Sequence, residues 1–121
     1  MGRIVHFEIP SDNPQSSIQF YHDVFGWEFS RWGDSDYWMA RTGQDSEPGI
    51  NGAIIKRRND QQPLTNTIEV DDLEETIEEI EDKGGQIVVP KISVEGVGWL
   101  AFFMDPEGII MGAVEPDPRA K

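Results

Sequence analysis

The stretch that decides the fold, residues 3–26, reads RIVHFEIPSDNPQSSIQFYHDVFG. Its first seven residues are rich in β-formers and partly alternate, which predicts a strand. Alternation places Val5, Phe7 and Ile9 on one face of that strand and His6 and Glu8 on the other. A capping segment and apolar residues at helical spacing follow, so the stretch predicts a strand leading directly into a helix.

The predicted helix has recognisable signals at both ends. Asp12 or Asn13 is expected to cap its first turn, and Pro14 suits the first helical position. Gly26 is expected to end it. The apolar positions predicted to face the core are Ile18, Tyr21 and Phe25.

Three further strands are predicted in the first half of the chain. They are WEFSRW at 27–32, YWMAR at 37–41 and INGAIIKR at 50–57. The next segment, RNDQQPL, shows no periodicity and is interpreted as a linker over about 57–64.

After the linker the same order of elements begins again. NTIEV predicts a strand, and Asp71 or Asp72 caps a helix that ends before Gly84 and Gly85. The acidic face of this helix is interpreted as a solvated surface without chemistry. The remaining strands are predicted at QIVVP, WLAFFM and IIMGAV, which begin at residues 86, 99 and 109.

The two halves form an internal repeat with an offset of about 59 residues. His6 precedes Ile18 by the same separation as Thr65 precedes Ile77. His6 and Thr65 are therefore predicted to occupy equivalent positions. The chain is interpreted as one domain, 1–121, with repeat one over about 1–57 and repeat two over about 65–116.

Composition limits the classes of partner. The 121 residues carry a formal net charge of −13 and contain no cysteine. Phosphate backbones and anionic lipid surfaces would be repelled, so no nucleic-acid or membrane partner is predicted. Without cysteine there are no disulfides and no thiolate metal sites. The N-terminus shows no signal-peptide pattern, and a cytoplasmic location is expected.

The duplicated order of elements resembles the vicinal oxygen chelate superfamily, which includes glyoxalase I, bleomycin-resistance proteins and extradiol dioxygenases. The resemblance rests on HFEI with SSIQFYHDVFGWEF near the start, IEVDDLEETIEEIEDKGGQIVVP in the middle and FFMDPEGIIMGAVE at the end. It implies an α+β fold, in which two βαβββ repeats form cupped mixed sheets around a central cavity. The chain is identified as a divergent glyoxalase-like member, for which the resemblance implies a homodimer.

Metal-using members of the superfamily hold a divalent ion with ligands at matched strand positions. Carried over position by position, these ligands fall on His6, Thr65, Gly112 and a residue near Asn51 or Gly52. Only His6 is a good ligand, and one imidazole does not hold a divalent ion tightly. No cofactor is therefore predicted. The acids considered as substitutes are Glu8, Glu47 and Glu115.

These observations leave several functions open. The first is the binding of a small molecule in the central cavity without the usual metal, with an acidic lining that suits a cationic or hydrogen-bond-donating ligand. The alternative is a lyase, isomerase or dioxygenase with an atypical site around His6 and Glu8, completed by Glu69. A third is an accessory role with a protein partner. The predicted ligand-binding residues are His6, Glu8, Trp38, Asn51, Thr65, Thr67, Glu69 and Gly112.

Five aromatic residues of the predicted third strands also adjoin the expected cavity. Neighbouring positions on a strand point to opposite faces, so some of these residues line the cavity and others belong to the core. The sequence does not determine which. They are Tyr37, Trp38, Trp99, Phe102 and Phe103.

Overall fold

A computed structural model describes residues 2–121, which form eight strands and two helices. The α+β class and the duplicated βαβββ order are confirmed. The strands are β1 Arg3–Ser11, β2 Glu28–Arg31, β3 Tyr37–Arg41, β4 Asn51–Lys56, β5 Thr65–Glu69, β6 Gln86–Val94, β7 Gly98–Met104 and β8 Ile110–Pro116. The helices are α1 Pro14–Phe25 and α2 Leu73–Asp82. Neither helix is long and apolar enough to cross a membrane, within the residues described.

The chain divides into two compact units. The first unit is His6–Leu64, and the second is Thr65–Lys121 together with residues 2–5. The boundary lies at the end of the predicted linker. The first residues of β1 belong to the second unit, although the sequence pattern assigns them to repeat one.

The two units share one strand topology. In the first, the strand order is β2-β3-β4-β1, with β1 and β4 parallel and the other pairs antiparallel. In the second, the order is β6-β7-β8-β5, with β5 and β8 parallel and the other pairs antiparallel. Each β-strand of one unit therefore has a counterpart with the same neighbours in the other.

The register of the parallel pairs is also the same. Glu8 is paired with Ala53 in the first unit, and Thr67 is paired with Gly112 in the second, so both partners lie 45 residues further along the chain. With the offset of about 59 residues, Glu8 corresponds to Thr67 and Ala53 to Gly112. The repeat thus extends to individual residue pairs.

Helix α1 begins and ends where the sequence predicts. The side chain of Asn13 accepts a hydrogen bond from the backbone N–H of Ser16, at 3.2 Å. This cap satisfies a donor that the first turn leaves without an intrahelical partner. Gly26 ends the helix with φ of 76°, a left-handed conformation that glycine adopts without steric cost.

The prediction that Phe25 faces the core is wrong, because its side chain is 61% exposed. Trp27 occupies the space against the helix instead. Its ring stacks on Tyr21 with 4.6 Å between centroids and contacts Phe7 of β1 at 5.6 Å. The large indole ring of Trp27, just beyond the helix, therefore makes the contacts with the core that the helical spacing had predicted for Phe25.

Helix α2 is held by two carboxylates at its first turn. Asp72 accepts a hydrogen bond from the N–H of Glu75 at 3.0 Å, and Glu115 accepts one from the N–H of Leu73 at 2.8 Å. Leu73 is fully buried and forms a core with Ala101 and Ala113 of the sheet. Negative charge at a helix N-terminus is stabilising, so both acids have a structural role.

Strand β6 is longer than predicted and continues past Pro90. Its pairing with β7 shifts register between Ile87 and Val89 and again between Val89 and Ile92. Because proline has no N–H to donate, it is tolerated in a strand where the ladder is irregular. The irregular register explains how the strand extends through this residue.

Candidate functional site

The register of the first unit places three ionisable side chains on one face of its sheet. His6 and Glu8 alternate with Phe7 along β1, and Phe7 packs toward α1 through Trp27. Tyr37, at the start of β3, reaches the same face as His6 and Glu8. We call this face, defined by His6, Glu8 and Tyr37, the ionisable face.

The three side chains form a polar cluster, in which one hydrogen bond joins His6 to Tyr37. Nε2 of His6 lies 2.8 Å from the hydroxyl oxygen of Tyr37. The two rings are nearly parallel, with an interplanar angle of 2°. The carboxyl group of Glu8 lies close enough to the Tyr37 hydroxyl group for each to shift the pKa of the other. Tyr37 is therefore the centre of the cluster, and all three residues are half-buried.

Burial shifts the pKa of each member of the cluster. It lowers the pKa of His6, so the imidazole is largely neutral at pH 7. It raises the pKa of Glu8, against the opposing effects of the nearby Tyr37 hydroxyl group and the positive charge of Arg58. Burial first, then the charge of the nearby Glu8, raises the pKa of Tyr37, which keeps its proton. The cluster thus combines a neutral base, a phenol and a carboxyl group that holds its proton more tightly than usual.

The corresponding positions of the second unit carry no ionisable groups. Thr65 and Thr67 are buried on β5, and Gly112 is paired with Thr67. A Cβ atom placed on Gly112 would lie 2.9 Å from the hydroxyl oxygen of Thr67 and 3.2 Å from the ring of Phe102. We call this group, Thr65, Thr67, Phe102 and Gly112, the hydroxyl face. Its glycine leaves room for the aromatic ring.

The structure resolves the directions of the aromatic residues that the sequence left open. In the first unit Tyr37 belongs to the ionisable face, whereas the adjacent Trp38 lies on the opposite side of β3. The ring of Trp38 stacks with the guanidinium group of Arg31 at 5.1 Å. The structure therefore does not bring Trp38 together with His6 and Glu8.

In the second unit Phe102 contacts the hydroxyl face, and two other aromatic residues of β7 pack on the opposite side. Trp99 and Phe103 lie against the core that contains Leu73. Tyr37 is the member of the cluster that the sequence analysis did not select. The alternation within YWMAR separates Tyr37 from Trp38, but only the register shows which of them joins His6.

The remaining predicted site residues are engaged elsewhere or stand apart. The side-chain oxygen of Asn51 accepts a hydrogen bond from the N–H of Thr42 at 2.9 Å, which fixes the loop before β4. Glu69 is exposed at the end of β5, in the second unit. Neither residue contributes a hydrogen bond to the cluster around Tyr37.

The side chains do not fit a divalent metal of the kind that the resemblance implies. Nε2 of His6 is occupied by Tyr37, and Gly112 has no donor. Glu47 accepts a hydrogen bond from the N–H of Gln44 at 2.7 Å, and Glu115 caps α2. Over residues 2–121, no three His, Asp or Glu side chains converge closely enough to hold an ion. The acids that were considered as substitutes thus have other partners.

The chain belongs to the Glyoxalase/Bleomycin resistance protein/Dioxygenase superfamily, whose family model matches residues 3–111. A glyoxylase-like domain-containing protein of Didymella fabae is 30% identical over 115 residues, which cover 88% of each chain. The expectation from the sequence motifs is therefore confirmed at the level of the family.

A second relative is longer. CFP32 of Mycobacterium tuberculosis, a proposed glyoxylase, is 24% identical over 110 residues. The match covers 87% of this chain and 42% of the relative, so the chain spans less than half of that protein's length.

A solved structure shows the same fold. Streptomyces coelicolor methylmalonyl-CoA epimerase, in a complex with 2-nitronate-propionyl-CoA, superposes with a TM-score of 0.68 at 14% identity. The alignment covers 98% of this chain and 97% of the epimerase. That protein binds a small-molecule derivative of coenzyme A.

Proposed function

We propose that this protein binds a small molecule at the ionisable face and does so without a divalent metal. One observation carries the proposal. Two ionisable side chains, His6 and Glu8, converge on Tyr37 in a half-buried position, where desolvation is costly. Structural stability alone would be served as well by apolar residues of similar size, so the cluster is better explained as a polar anchor within a binding site.

The ligand that suits this face donates hydrogen bonds or carries positive charge. Glu8 contributes carboxylate oxygens, and the formal net charge of the chain is −13. Within residues 2–121, Arg58 is the cation whose charge acts on Glu8. A hydrogen-bond donor or an ammonium group would pair with the carboxylate, whereas a polyanionic ligand would be repelled.

The absence of a metal requirement is supported by the donor set. The imidazole of His6 is already hydrogen-bonded to Tyr37. Gly112, at a position where metal-using members of the superfamily carry a ligand, has no side chain to offer. Divalent ions in proteins need several nitrogen or oxygen ligands in fixed geometry. A ligand would therefore be oriented by hydrogen bonds and by aromatic contact.

Native mass spectrometry of the freshly purified protein tests this proposal, with metal analysis of the same sample. We expect a stoichiometric small molecule in the wild-type protein and its loss in Glu8→Gln. Glu107→Gln, the same substitution at an exposed turn, is the matched control and should retain it. A stoichiometric divalent metal, or equal retention by Glu8→Gln, would overturn the proposal.

A second candidate is an isomerase or lyase in which Glu8 is the general base. The observation that favours it is the raised pKa of Glu8, because a base whose pKa approaches the working pH transfers protons most effectively. For a substrate identified by mass spectrometry, Glu8→Gln should reduce kcat by about 100-fold or more. Unchanged turnover in both Glu8→Gln and His6→Ala would contradict this activity.

We also propose that the protein is a cytoplasmic homodimer that pairs through α1. Phe20, Val24 and Phe25 are each more than half exposed on this helix. Helix α1 contains one acidic residue, whereas six of the ten residues of α2 are acidic. Two strongly anionic copies would approach most easily through the weakly charged helix.

Light scattering tests this pairing. The wild-type protein should have the mass of a dimer, and Val24→Glu should shift it toward the monomer. The control is Gln15→Glu, which adds the same charge on an exposed residue of α1 outside the apolar patch. A monomeric wild-type protein would contradict the proposal.

A further inference from the structure

The side chain of Trp32 lies on the same face of the first unit as Tyr37. In the antiparallel pairing of β2 with β3, Arg31 is opposite Trp38. One step further, Trp32 is opposite Tyr37, and its backbone N–H donates to the Tyr37 carbonyl oxygen at 2.9 Å. Because residues directly opposite each other in an antiparallel pair share one face, Trp32 extends the ionisable face toward the outer strand of the unit.

The indole ring of Trp32 is open to solvent, although the loop that carries it is fixed. The residue is 44% exposed, and its ring meets the Tyr37 ring edge-on, with 6.3 Å between centroids and an interplanar angle of 74°. The Ser35 hydroxyl group donates to the Trp32 carbonyl oxygen, and Nε of Arg31 donates to the Ser35 carbonyl oxygen at 2.8 Å. A large ring held open on a fixed loop loses little conformational entropy when a ligand packs on it.

Two of the four tryptophans already have a cation of the protein on their rings. The guanidinium group of Arg31 lies 5.1 Å from the ring centroid of Trp38, and the ammonium group of Lys91 lies 4.8 Å from that of Trp99. Over residues 2–121, no side-chain cation lies on the ring of Trp32. Its indole face is therefore available to a cation from outside the chain.

The charges near Trp32 favour a cation over an anion. Asp34 and Asp36 follow it in the same loop, and over residues 2–121 only Asp36 of these two has an ion-pair partner. The face of an indole ring attracts cations through its quadrupole. The positive charge of Arg58 acts on Glu8 and opposes a second cation there, so the open indole is the better position for one.

We propose that Trp32 selects the ligand of the ionisable face by binding an alkylated ammonium group on its indole ring. This inference rests on the proposed binding of a small molecule at that face. A quaternary ammonium group has no N–H to donate, so the cluster around Tyr37 binds a polar group elsewhere in the same molecule. The ligand class is thus an organic cation that also carries a hydroxyl or amide group.

Two probes of the same shape separate the effect of charge from that of apolar packing. They are choline and its uncharged analogue, in which a carbon atom replaces the quaternary nitrogen. Each is titrated into the wild-type protein at constant ionic strength, and the backbone N–H signal of Tyr37 is followed by proton–nitrogen NMR. Choline should bind about 3-fold or more tightly than the analogue and should also move the indole N–H signal of Trp32. Equal affinities, or tighter binding of the analogue, would overturn the proposal.

Substitutions at Trp32 assign the preference to its ring. Trp32→Leu keeps an apolar side chain without the ring, so the two probes should bind equally. Trp32→Phe should retain part of the preference, because a phenyl ring attracts cations less strongly than an indole ring. Phe20→Leu, which removes an exposed ring from α1, is the matched control and should keep the full preference. A preference for choline that survives Trp32→Leu would show that another group binds the cation.

Fluorinated tryptophans provide a measurement that a purely structural role of Trp32 would not affect. Successive fluorine atoms withdraw charge from the ring face, so the affinity for choline should fall stepwise while that for the uncharged analogue stays constant. An affinity for choline that is independent of fluorination would contradict the proposal. Because these titrations use added probes, a missing preference for choline leaves the retention of a copurified molecule intact, and loss of that retention leaves the preference intact.

Discussion

The two units present the same backbone with different chemistry. Glu8 opposite Ala53 in the first unit has its counterpart in Thr67 opposite Gly112 in the second, in the same register. In the first pair, Glu8 belongs to a cluster of ionisable groups. In the second pair, the buried Thr67 hydroxyl group and an aromatic ring adjoin the glycine. The comparison shows that a duplicated sheet keeps its hydrogen-bond register while its faces diverge independently.

The physical reason is that register depends on the backbone and on the apolar face toward the helix. Leu73 with Ala113 in the second unit and Phe7 with Trp27 in the first fill that side. A shift of one residue would reverse the side chains of the whole strand. The opposite face carries no such constraint, so its residues are free to specify a ligand.

The largest effect is expected from exchanging the small residues at the equivalent positions. Gly112→Ala should lower the free energy of unfolding by about 2 kcal/mol, because its methyl group meets Thr67 and Phe102. Ala53→Gly should cost about 1 kcal/mol, since the first unit already accommodates a methyl group and loses only its packing and rigidity. Urea denaturation measures both.

A double variant sharpens this comparison. Thr67→Ala removes the hydroxyl group that the new methyl group would meet, so it should recover part of the stability lost in Gly112→Ala. An additive cost in the double variant would show that the contact with Thr67 is not the cause.

The hydroxyl group of Tyr37 is expected to have an intermediate effect. Tyr37→Phe should lower the free energy of unfolding by about 1 kcal/mol at pH 7, because His6 loses its hydrogen-bond partner and Glu8 loses the neighbouring hydroxyl group. The loss should shrink at low pH, where Glu8 becomes neutral. Thr67→Val on the hydroxyl face is the control, and its cost should not vary with pH. If the cost of Tyr37→Phe were constant across pH, the ionisation of Glu8 would not affect the contribution of the Tyr37 hydroxyl group to stability.

The smallest effect concerns the slope of stability with pH. Glu8 binds its proton more tightly in the folded state, so its contribution falls as the pH rises from the ordinary value of 4.5 through the raised pKa. His6 binds its proton less tightly in the folded state, so its contribution falls as the pH drops from 6.5 through the lowered pKa. The two effects oppose each other between these values.

Single substitutions should reveal each effect. Relative to wild type, the free energy of unfolding of Glu8→Gln should rise more steeply with pH. The free energy of unfolding of His6→Gln should fall relative to wild type as the pH rises. Thr65→Val, at the position equivalent to His6, should run parallel to wild type. Denaturation midpoints at several pH values provide the measurement, and slopes of the same sign in the first two variants would contradict the assigned shifts.

The local elements were accessible from the sequence because their signals are short-range. Asn13 and Asp72 cap the helices, Gly26 ends α1, and the alternation of β1 separates His6 from Phe7. Packing beyond neighbouring residues was less accessible. Phe25 has the spacing of a core residue and is exposed, because Trp27 fills the contact that it was expected to make.

The sequence by itself determined the repeat, the order of strands and helices, and the side of β1 on which His6 and Glu8 lie. These follow from periodicity and capping, which act within a few residues. Only the tertiary structure decided that Tyr37, rather than Trp38, completes the cluster, and that Glu115 caps a helix. Both depend on contacts between residues more than 25 positions apart, and the register of the assembled sheet sets them.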